Sequence, residues 1–272
     1  MNSSRPFIWI FPALLGLLAG YLVAAGTLDR ADPSASRTLG AALYVQTAAE
    51  YRACCLQTYN LAAARLAEKL KTKSNGAKPP AVIMDLDETV FDNGGYESYL
   101  IRTNQTYSDA TWQLWERTCF NEVRLVPGAK EFIESAEKQG VTVVYVSNRF
   151  ESNRPSTIKA IEYVGLNAKN IEPRLKLFKD GAKTTSKDER RKDVADAYTV
   201  LMLFGDNLRD FSDEFKADPV KDVAGRFQAV DASKSRWGDD WIVLPNPIYG
   251  EWQRLLGPIP ADKLRPTSLG TK

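Results

Sequence analysis

The chain has 272 residues, of which 44% are hydrophobic and 26% are charged, a composition typical of a folded domain rather than of a disordered or fibrous protein. Lys and Arg number 36 and Asp and Glu number 34, so the formal net charge of +2 gives no bulk attraction for a nucleic-acid polymer. The chain has no histidine, which excludes Ser-His-Asp and Cys-His nucleophiles, phosphohistidine chemistry and His-ligated zinc.

An apolar run, Phe7–Ala25, opens the chain and is followed by a polar, turn-rich stretch. This is the pattern of an export signal, and Val23 and Ala25 satisfy the small-residue requirement for cleavage after Ala25. The run is also nearly long enough to stay as a single membrane anchor. We therefore predict a signal peptide or an N-terminal membrane anchor over residues 1–25, a linker over 26–37, and export to the periplasm or beyond the cell.

The next segment, Thr38–Lys73, is rich in Ala and Leu, and its apolar residues recur at helical spacing. This periodicity predicts one or two amphipathic helices packed on the core. Gly and Pro in the segment Ser74–Pro80 predict that the helices end there.

Three cysteines are present, Cys54, Cys55 and Cys119. A disulfide between the neighbours Cys54 and Cys55 would be strained, and without a CxxC pair a metal cluster is not expected. We interpret the neighbouring pair as small residues on a buried helix face. The sequence leaves a long-range bridge to Cys119 open.

Short continuous apolar runs, the pattern of strands buried on both faces of a parallel sheet, recur along the chain. Predicted helices Ala129–Gln139, Arg154–Val164 and Ser186–Ala197 separate them, and this alternation predicts an open α/β sheet. An insertion over about 92–126, rich in polar and aromatic residues, predicts a small helical cap. The predicted strands are Ala81–Met84, Val141–Val146, Val200–Phe204 and Trp241–Leu244.

Polar clusters follow the first three predicted strands. Asp85–Thr89 follows the first, Ser147–Arg149 the second and Gly205–Asp210 the third. Open α/β sheets bind ligands at the carboxyl ends of their strands, so these clusters predict one shared site. A single Asp-x-Asp pair would be a weak signal, because a turn or helix cap also explains it.

The ordered motifs of the chain resemble those of the haloacid dehalogenase (HAD) superfamily. More narrowly, they resemble the secreted class C, or DDDD, bacterial acid phosphatases and 5'-nucleotidase lipoproteins, over roughly Thr38–Trp252. One departure is that no lipobox cysteine follows the N-terminal apolar run, so lipid attachment is not expected. The motifs are Asp85-x-Asp87-x-Thr89 with Asp92-Asn93, Ser147-Asn148-Arg149, Lys187, Gly205-Asp206-Asn207-Leu208-x-Asp210-Phe211, and Leu244-Pro245-Asn246-Pro247-x-Tyr249-Gly250 with Trp252.

The resemblance implies a HAD-like Rossmannoid parallel sheet flanked by helices, forming a phosphatase domain over 38–272 with the cap inserted after the first strand. It implies that Asp85 attacks phosphorus to form a phosphoaspartate, and that Asp87 is first general acid and then general base. It also implies Mg²⁺ bound by the carboxylates of Asp85 and Asp206 and the carbonyl oxygen of Asp87, with Asp210 holding a metal-bound water or orienting its neighbours.

The same resemblance implies that Ser147 and Lys187 contact the phosphate and that Asn148 contributes to substrate binding. Lys183 lies in the same segment as Lys187 and is the alternative. The position of Lys187 at a predicted helix start favours it, because free backbone amides there also attract anions.

Aromatic residues of the cap and of the C-terminal motif are the predicted contacts for a base or phenyl leaving group. We favour Trp112 and Tyr249 by resemblance, and Tyr96 and Trp115 are further members of this predicted clamp. Ordinary packing explains any one of them equally well. For Arg149 and Arg209 the sequence does not distinguish two roles, a solvated surface charge and a group that steers the phosphate.

We therefore predict an exported acid phosphatase that hydrolyses small phosphomonoesters, including nucleoside monophosphates, best at mildly acidic pH. One alternative is phosphoryl transfer to an alcohol, which shares the intermediate. Another is a non-catalytic binding or storage protein on the same fold, against which the retention of Asp85, Asp87, Lys187 and Asp206 argues. The sequence leaves undecided whether the N-terminal segment tethers the protein to a membrane and whether the protein forms a homodimer.

Overall fold

The computed structural model describes residues 33–72 and 78–265. The predicted signal or anchor over 1–25 lies outside the described residues, as do the linker up to residue 32 and residues 73–77 of the predicted break. Within the described part, no helix combines the length and the apolar character that a membrane crossing requires.

Nine α-helices are found among the described residues, and the first begins inside the predicted linker, so residues 33–37 are helical. A break at Ala48 divides the predicted N-terminal helical segment into two helices. The helices are α1 Pro33–Thr47, α2 Ala49–Thr72, α3 Gly94–Arg102, α4 Asp109–Thr118, α5 Ala129–Lys138, α6 Arg154–Tyr163, α7 Asp188–Ala197, α8 Ala217–Val220 and α9 Val223–Ala232.

The same described residues contain seven strands, which form a five-stranded parallel sheet, in the order β5-β4-β1-β6-β7, and a separate two-stranded sheet of β2 and β3. The mixed α/β architecture with helices around a parallel sheet confirms the predicted fold class. The strands are β1 Pro80–Met84, β2 Phe91–Asp92, β3 Arg124–Leu125, β4 Thr142–Phe150, β5 Leu175–Phe178, β6 Thr199–Gly205 and β7 Trp241–Val243.

The central strand β1 is apolar on both faces because hydrophobic side chains cover both sides of the sheet. Val82 and Met84 belong to the main core, and Ala81 and Ile83 belong to a second cluster on the opposite face with Val194 of α7. A strand packed in this way has no polar face, which explains the continuous apolar run in the sequence.

Two strand predictions need correction. Strand β5 was not predicted, because it is a short edge strand whose burial alternates instead of forming a continuous apolar run. Strand β4 extends to Phe150, so Ser147–Arg149 lies within it and not after it. Its pairing with β1 ends at Tyr145, and its pairing with β5 is irregular between Val146 and Phe150, where the register shifts before the pair Phe150–Phe178.

The insertion predicted as a cap contains α3 and α4. Antiparallel pairing of Phe91 with Leu125 and of Asp92 with Arg124 brings its two ends together. The Ser108 side chain accepts a hydrogen bond from the backbone N–H of Thr111 at the start of α4. This closed base fixes the two helices next to the carboxyl end of β1.

The three cysteines are free thiols. Cys55 is buried, as expected for the helix face, whereas Cys54 is exposed.

Candidate active site

The carboxyl ends of β1 and β6 bring two acidic segments together. The backbone N–H of Asp85 donates to the Phe204 carbonyl over 3.0 Å, which continues the pairing with β6 past the end of β1. Asp85 therefore lies directly beside Gly205 and Asp206, where β6 ends. Asp85 is buried and lines a cavity of about 660 Å³.

A tight turn after β1 positions Asp87. The carbonyl of Leu86, a fully buried residue, accepts from the N–H groups of Val90 at 2.8 Å and Phe91 at 2.7 Å. The hydroxyl of Tyr59, on helix α2, also holds the turn, because it donates to the Thr89 carbonyl over 2.6 Å. The turn is therefore fixed by buried contacts that require no ligand.

Lys187 lies between two carboxylates. Its ammonium nitrogen is 2.6 Å from Oδ1 of Asp85 and 2.6 Å from Oδ1 of Asp210. Burial alone would lower the Lys187 pKa, but the carboxylates of Asp210 and Asp85 outweigh it and raise the pKa above its ordinary value. Lys183 is exposed and does not line the cavity, so the structure places Lys187 at the predicted position.

Asp206 is held by Asn246, whose side-chain amide donates to Asp206 Oδ2 over 2.8 Å. Asp210 Oδ2 accepts from the Asn207 backbone N–H over 3.0 Å. A side chain at Gly205 would overlap the Asp210 side chain, so the residue before Asp206 must be glycine for Asp210 to reach the site.

Asp85, Asp206 and Asp210 each offer one carboxylate oxygen, and these oxygens lie within 4.8 Å of one another. Burial, with the neighbouring carboxylates of Asp210 and Asp206, raises the Asp85 pKa well above its ordinary value despite the opposing Lys187. Burial and Asp210 raise the Asp206 pKa to about 7. Three carboxylates, those of Asp85 and Asp210 buried and that of Asp206 half-buried, face one ammonium. This all-oxygen set therefore fits a hard divalent cation, which would offset the excess negative charge.

The Asp87 carboxylate is held by Arg149, which is fully buried. Oδ1 accepts from Arg149 Nη2 at 2.7 Å, from Arg149 Nε at 2.9 Å and from Asn93 Nδ2 at 2.9 Å. Oδ2 has longer contacts, 3.2 Å to Arg149 Nε and 3.4 Å to the Ser147 hydroxyl. Arg149 is therefore neither a solvated charge nor a phosphate-steering group, as the sequence had suggested, but the partner of Asp87.

Ser147 and Asn148 are held from α7 by Arg190. The guanidinium donates to the Ser147 carbonyl at 2.5 Å and to Asn148 Oδ1 at 2.6 Å. The Ser147 hydroxyl accepts from the backbone N–H of Arg149 over 3.1 Å. Sequence reasoning missed Arg190. Its position in the first turn of α7, three residues after Lys187, is the signal that could have pointed to it.

Three of the four aromatic residues of the predicted clamp line one cavity. Tyr96, Trp112 and Tyr249 line the same cavity as Asp85, together with Tyr107, which was not predicted. Trp115 does not line the cavity, because its indole N–H donates to Asn93 Oδ1 over 3.0 Å beneath it. Trp115 therefore supports the residue that holds Asp87.

Arg209, the other arginine whose role the sequence left undecided, lines the cavity. Its guanidinium is 3.3 Å from the Glu251 carboxylate and donates to the Thr185 hydroxyl over 2.9 Å. Asp87, Asn148 and Lys187 line this cavity as well, and the buried Ser147 contacts Asp87 at its edge. The structure thus brings the predicted site residues together.

Residues 33–252 match the family described as HAD superfamily, subfamily IIIB (Acid phosphatase). The fold is similar to the class C acid phosphatase from Bacillus anthracis with tungstate bound, with a TM-score of 0.77 and 32% identity over 86% of this chain and 99% of that chain. A second structure of the B. anthracis class C acid phosphatase gives a TM-score of 0.76, with the same identity and coverage.

Proposed function

This chain belongs to subfamily IIIB of the HAD superfamily, the acid phosphatases, and on that premise we propose how its residues hydrolyse a phosphomonoester. The chain is a phosphomonoester hydrolase acting on small phosphoesters. The proposal concerns the roles of individual residues, the identity of the metal and the substrates. It is carried by one observation: the Asp85 carboxylate lies 2.6 Å from the Lys187 ammonium at the floor of a cavity.

Asp85 is the nucleophile in this proposal. One of its carboxylate oxygens attacks phosphorus, the bond from phosphorus to the ester oxygen breaks, and a phosphoaspartate forms. Phosphoryl transfer needs groups positioned in line and charge neutralised around the phosphoryl oxygens more than it needs covalent chemistry. The contact with Lys187 restricts the rotation of the Asp85 side chain and supplies one of those positive charges.

Asp87 carries the proton that the leaving oxygen takes. Oδ1 already accepts three short hydrogen bonds from Arg149 and Asn93, so we place the proton on Oδ2, whose contacts are longer. The Asp87 carboxylate left after this transfer then takes a proton from water, and that water attacks phosphorus. The bond from phosphorus to the Asp85 oxygen breaks, which releases phosphate and restores the proton on Asp87.

HAD phosphatases use a divalent metal, and Mg²⁺ is the ion we propose for this site. The carboxylates of Asp85, Asp206 and Asp210 and the carbonyl oxygen of Asp87 would hold it, because oxygen ligands suit this ion. When bound, it neutralises charge on the phosphate and on the attacking carboxylate. The contacts of Asp210 with Lys187 and Asn207 keep that carboxylate in place whether or not it binds the ion directly.

Ser147 and Lys187 bind the phosphoryl oxygens in this scheme, and Asn148 borders the same cavity. The Ser147 hydroxyl donates a long hydrogen bond to Asp87 Oδ2, at 3.4 Å, so it can turn and donate to a phosphoryl oxygen instead. Nucleoside monophosphates are among the proposed substrates. Their bases would lie against Trp112 and Tyr249, because stacking on an aromatic ring tolerates many bases.

Export belongs to the proposal as well. The apolar run at residues 7–25 has the form of a signal peptide or membrane anchor. Immunoblotting of cell fractions from a strain that expresses the full chain would test this, because retention in the cytoplasm would contradict it.

Phosphate release from p-nitrophenyl phosphate and from adenosine monophosphate tests the scheme. The protein is assayed with Mg²⁺, with a chelator, and with Mg²⁺ restored after chelation, beside the Asp85→Asn and Asp206→Asn variants. We expect chelation to stop hydrolysis and Mg²⁺ to restore it. We expect Asp206→Asn to raise the Mg²⁺ concentration for half-maximal rate by about tenfold or more. Chelator-resistant hydrolysis, or Asp206→Asn with an unchanged Mg²⁺ requirement, contradicts the metal assignment.

A further inference from the structure

Glu97, on helix α3 of the cap, is a buried carboxylic acid that the reaction scheme does not use. It is 8% exposed and lines the active-site cavity together with Asp85 and Asp87. Its carboxylate has no hydrogen bond or ion pair with any residue that the structure describes, and burial alone raises its pKa to about 7. Carboxylates without a partner are rarely buried, since burial disfavours the charged form, so its place in a substrate cavity indicates a partner supplied by the ligand.

Three aromatic rings of the cap line the cavity with Glu97. The Trp112 ring contacts that of Tyr96, at a centroid distance of 5.0 Å, and that of Tyr107, at 6.4 Å. The hydroxyl of Tyr96 contacts Thr111 and that of Tyr107 donates to Asp109, so both are satisfied within the protein. What the rings add to the cavity is therefore mainly their π faces and edges. Aromatic faces attract cations, and a neighbouring carboxylate strengthens that attraction.

The two sides of the cavity carry different charged groups. The basic residues that line it, Lys187, Arg209 and Arg254, all come from outside the cap. They lie beside five carboxylates of the same side, Asp85, Asp87, Asp206, Asp210 and Glu251, three of which would hold the divalent cation. Among the described cap residues that line the cavity, Glu97 is the only carboxylic acid and no residue is basic. A substrate bound with its phosphate toward Lys187 would extend its other end toward a wall of aromatic rings and one carboxylate. This arrangement complements a molecule that is negative at one end and positive at the other.

We propose that Glu97, with Tyr96, Tyr107 and Trp112, binds the positively charged group of a zwitterionic phosphomonoester, an alkylammonium ester of phosphate. This inference rests on the proposed position of the phosphate at Asp85 and narrows the class of leaving group. Hydrolysis of such an ester releases phosphate and an ammonium alcohol by the same two steps. Glu97 acts as a specificity-determining residue and takes no part in bond breaking.

The test compares two esters of the same shape that differ in one charge. Phosphocholine carries a trimethylammonium group, and 3,3-dimethylbutyl phosphate has a tert-butyl group in its place. The value of kcat/KM for each is measured at pH 8 with Mg²⁺ for the wild type, for Glu97→Gln and for Glu122→Gln. The last is the matched control, because Glu122 is an exposed cap residue that does not line this cavity.

For the wild type we expect kcat/KM to be about tenfold higher for phosphocholine than for its neutral counterpart. The ratio should fall to near one in Glu97→Gln and stay at the wild-type value in Glu122→Gln. Because the compared quantity is the ratio of kcat/KM for two esters with the same protein preparation, any loss of folded or active protein cancels.

A wild-type ratio near one, or a ratio that Glu97→Gln leaves unchanged, overturns the inference while leaving the phosphatase scheme intact. Failure of the wild type to hydrolyse phosphocholine while it still hydrolyses p-nitrophenyl phosphate overturns the inference alone, and failure with p-nitrophenyl phosphate as well overturns the phosphatase scheme. Inhibition of p-nitrophenyl phosphate hydrolysis by choline and by 3,3-dimethylbutanol is a second, independent test of the inference. Choline should be the stronger inhibitor of the wild type, and equal inhibition by the two alcohols would also contradict the inference.

Discussion

Arg149 donates to the Asp87 carboxylate from both Nε and Nη2, the shortest contact being 2.7 Å, and its side chain is fully buried. The guanidinium lies 5.0 Å from the ring centroid of Phe91 and 5.7 Å from that of Trp112. The arginine thus lies against two aromatic rings while it holds Asp87, the proposed general acid. It connects strand β4, the turn after β1 and the cap.

The first prediction concerns Arg149→Met, which should leave Asp87 without its main restraint. General acid catalysis matters most for poor leaving groups, so we expect kcat to fall by about 100-fold for an alkyl phosphate and by about tenfold or less for p-nitrophenyl phosphate. Arg149→Lys should not restore the rate, because an ammonium group cannot make the two-point contact. Steady-state kinetics with both esters measures this difference.

An equal loss of kcat for the two esters would contradict the positioning role of Arg149 and indicate a general structural defect. Arg117→Met is the control, because Arg117 is an exposed residue of the same cap. Its kcat ratio between the two esters should equal that of the wild type.

The second prediction separates Lys187 from Lys183. Lys187→Met removes the ammonium that contacts both Asp85 and Asp210, so we expect kcat to fall by about 100-fold or more, as when one preorganised donor to a transition-state oxygen is lost. Lys183→Met changes an exposed side chain and should leave kcat within about twofold of the wild type. A larger loss in Lys183→Met than in Lys187→Met would show that the assignment is wrong.

Gly205→Ala gives the third prediction. The added methyl group would overlap the Asp210 side chain, and relieving such a clash costs about 1–3 kcal/mol. We expect the Mg²⁺ concentration for half-maximal rate to rise, because Asp210 must move away. Gly40→Ala, in helix α1 where a methyl group meets nothing within 4 Å, should leave the Mg²⁺ requirement unchanged. Metal titration of activity checks both variants, and an unchanged Gly205→Ala would contradict the packing argument.

The fourth prediction follows from the raised pKa of Glu97. Its folded-state pKa is about 7 against an ordinary value of 4.5 because the side chain is buried. Between these pH values the folded state binds more protons than the unfolded state, so this group lowers the free energy of unfolding as the pH rises through that window. Glu97→Gln should therefore be nearly neutral at pH 4.5 and stabilising by roughly 1–3 kcal/mol at pH 8.

Urea unfolding of the wild type and Glu97→Gln at the two pH values measures this effect. Glu122→Gln serves as the control, since the Glu122 side chain is exposed. A Glu97→Gln variant that is destabilised at pH 8 would show that the carboxylate has a stabilising partner.

Much of the fold could be predicted because its signals are local. A strand buried on both faces, such as β1, must be apolar throughout, and the start of α7 next to Lys187 carries ordinary helix signals. Edge strand β5 was missed because alternation over Leu175–Phe178 is too short to distinguish from a loop. The location of the acidic site followed from topology, since parallel strands bring their carboxyl ends to one edge.

What the sequence could not predict depends on side-chain contacts between distant segments. The contact between Arg149 and Asp87 joins residues 62 positions apart, and nothing in the Ser-Asn-Arg motif shows whether its arginine points inward. The support of Asp206 by Asn246 joins residues 40 apart. In the sequence Glu97 looks like a solvated charge of a helix, because its burial depends on how α3 packs beside the cavity.

The central claim is that Asp85 becomes covalently phosphorylated. The most direct measurement is rapid acid quenching of the Mg²⁺-loaded protein during turnover of a ³²P-labelled phosphomonoester, followed by peptide mapping of the label. We expect an acid-stable, base-labile label on the peptide that contains Asp85, and neither label nor phosphate release in Asp85→Asn. Label on another residue, or Asp85→Asn that still turns over the ester at the wild-type rate, would contradict the account.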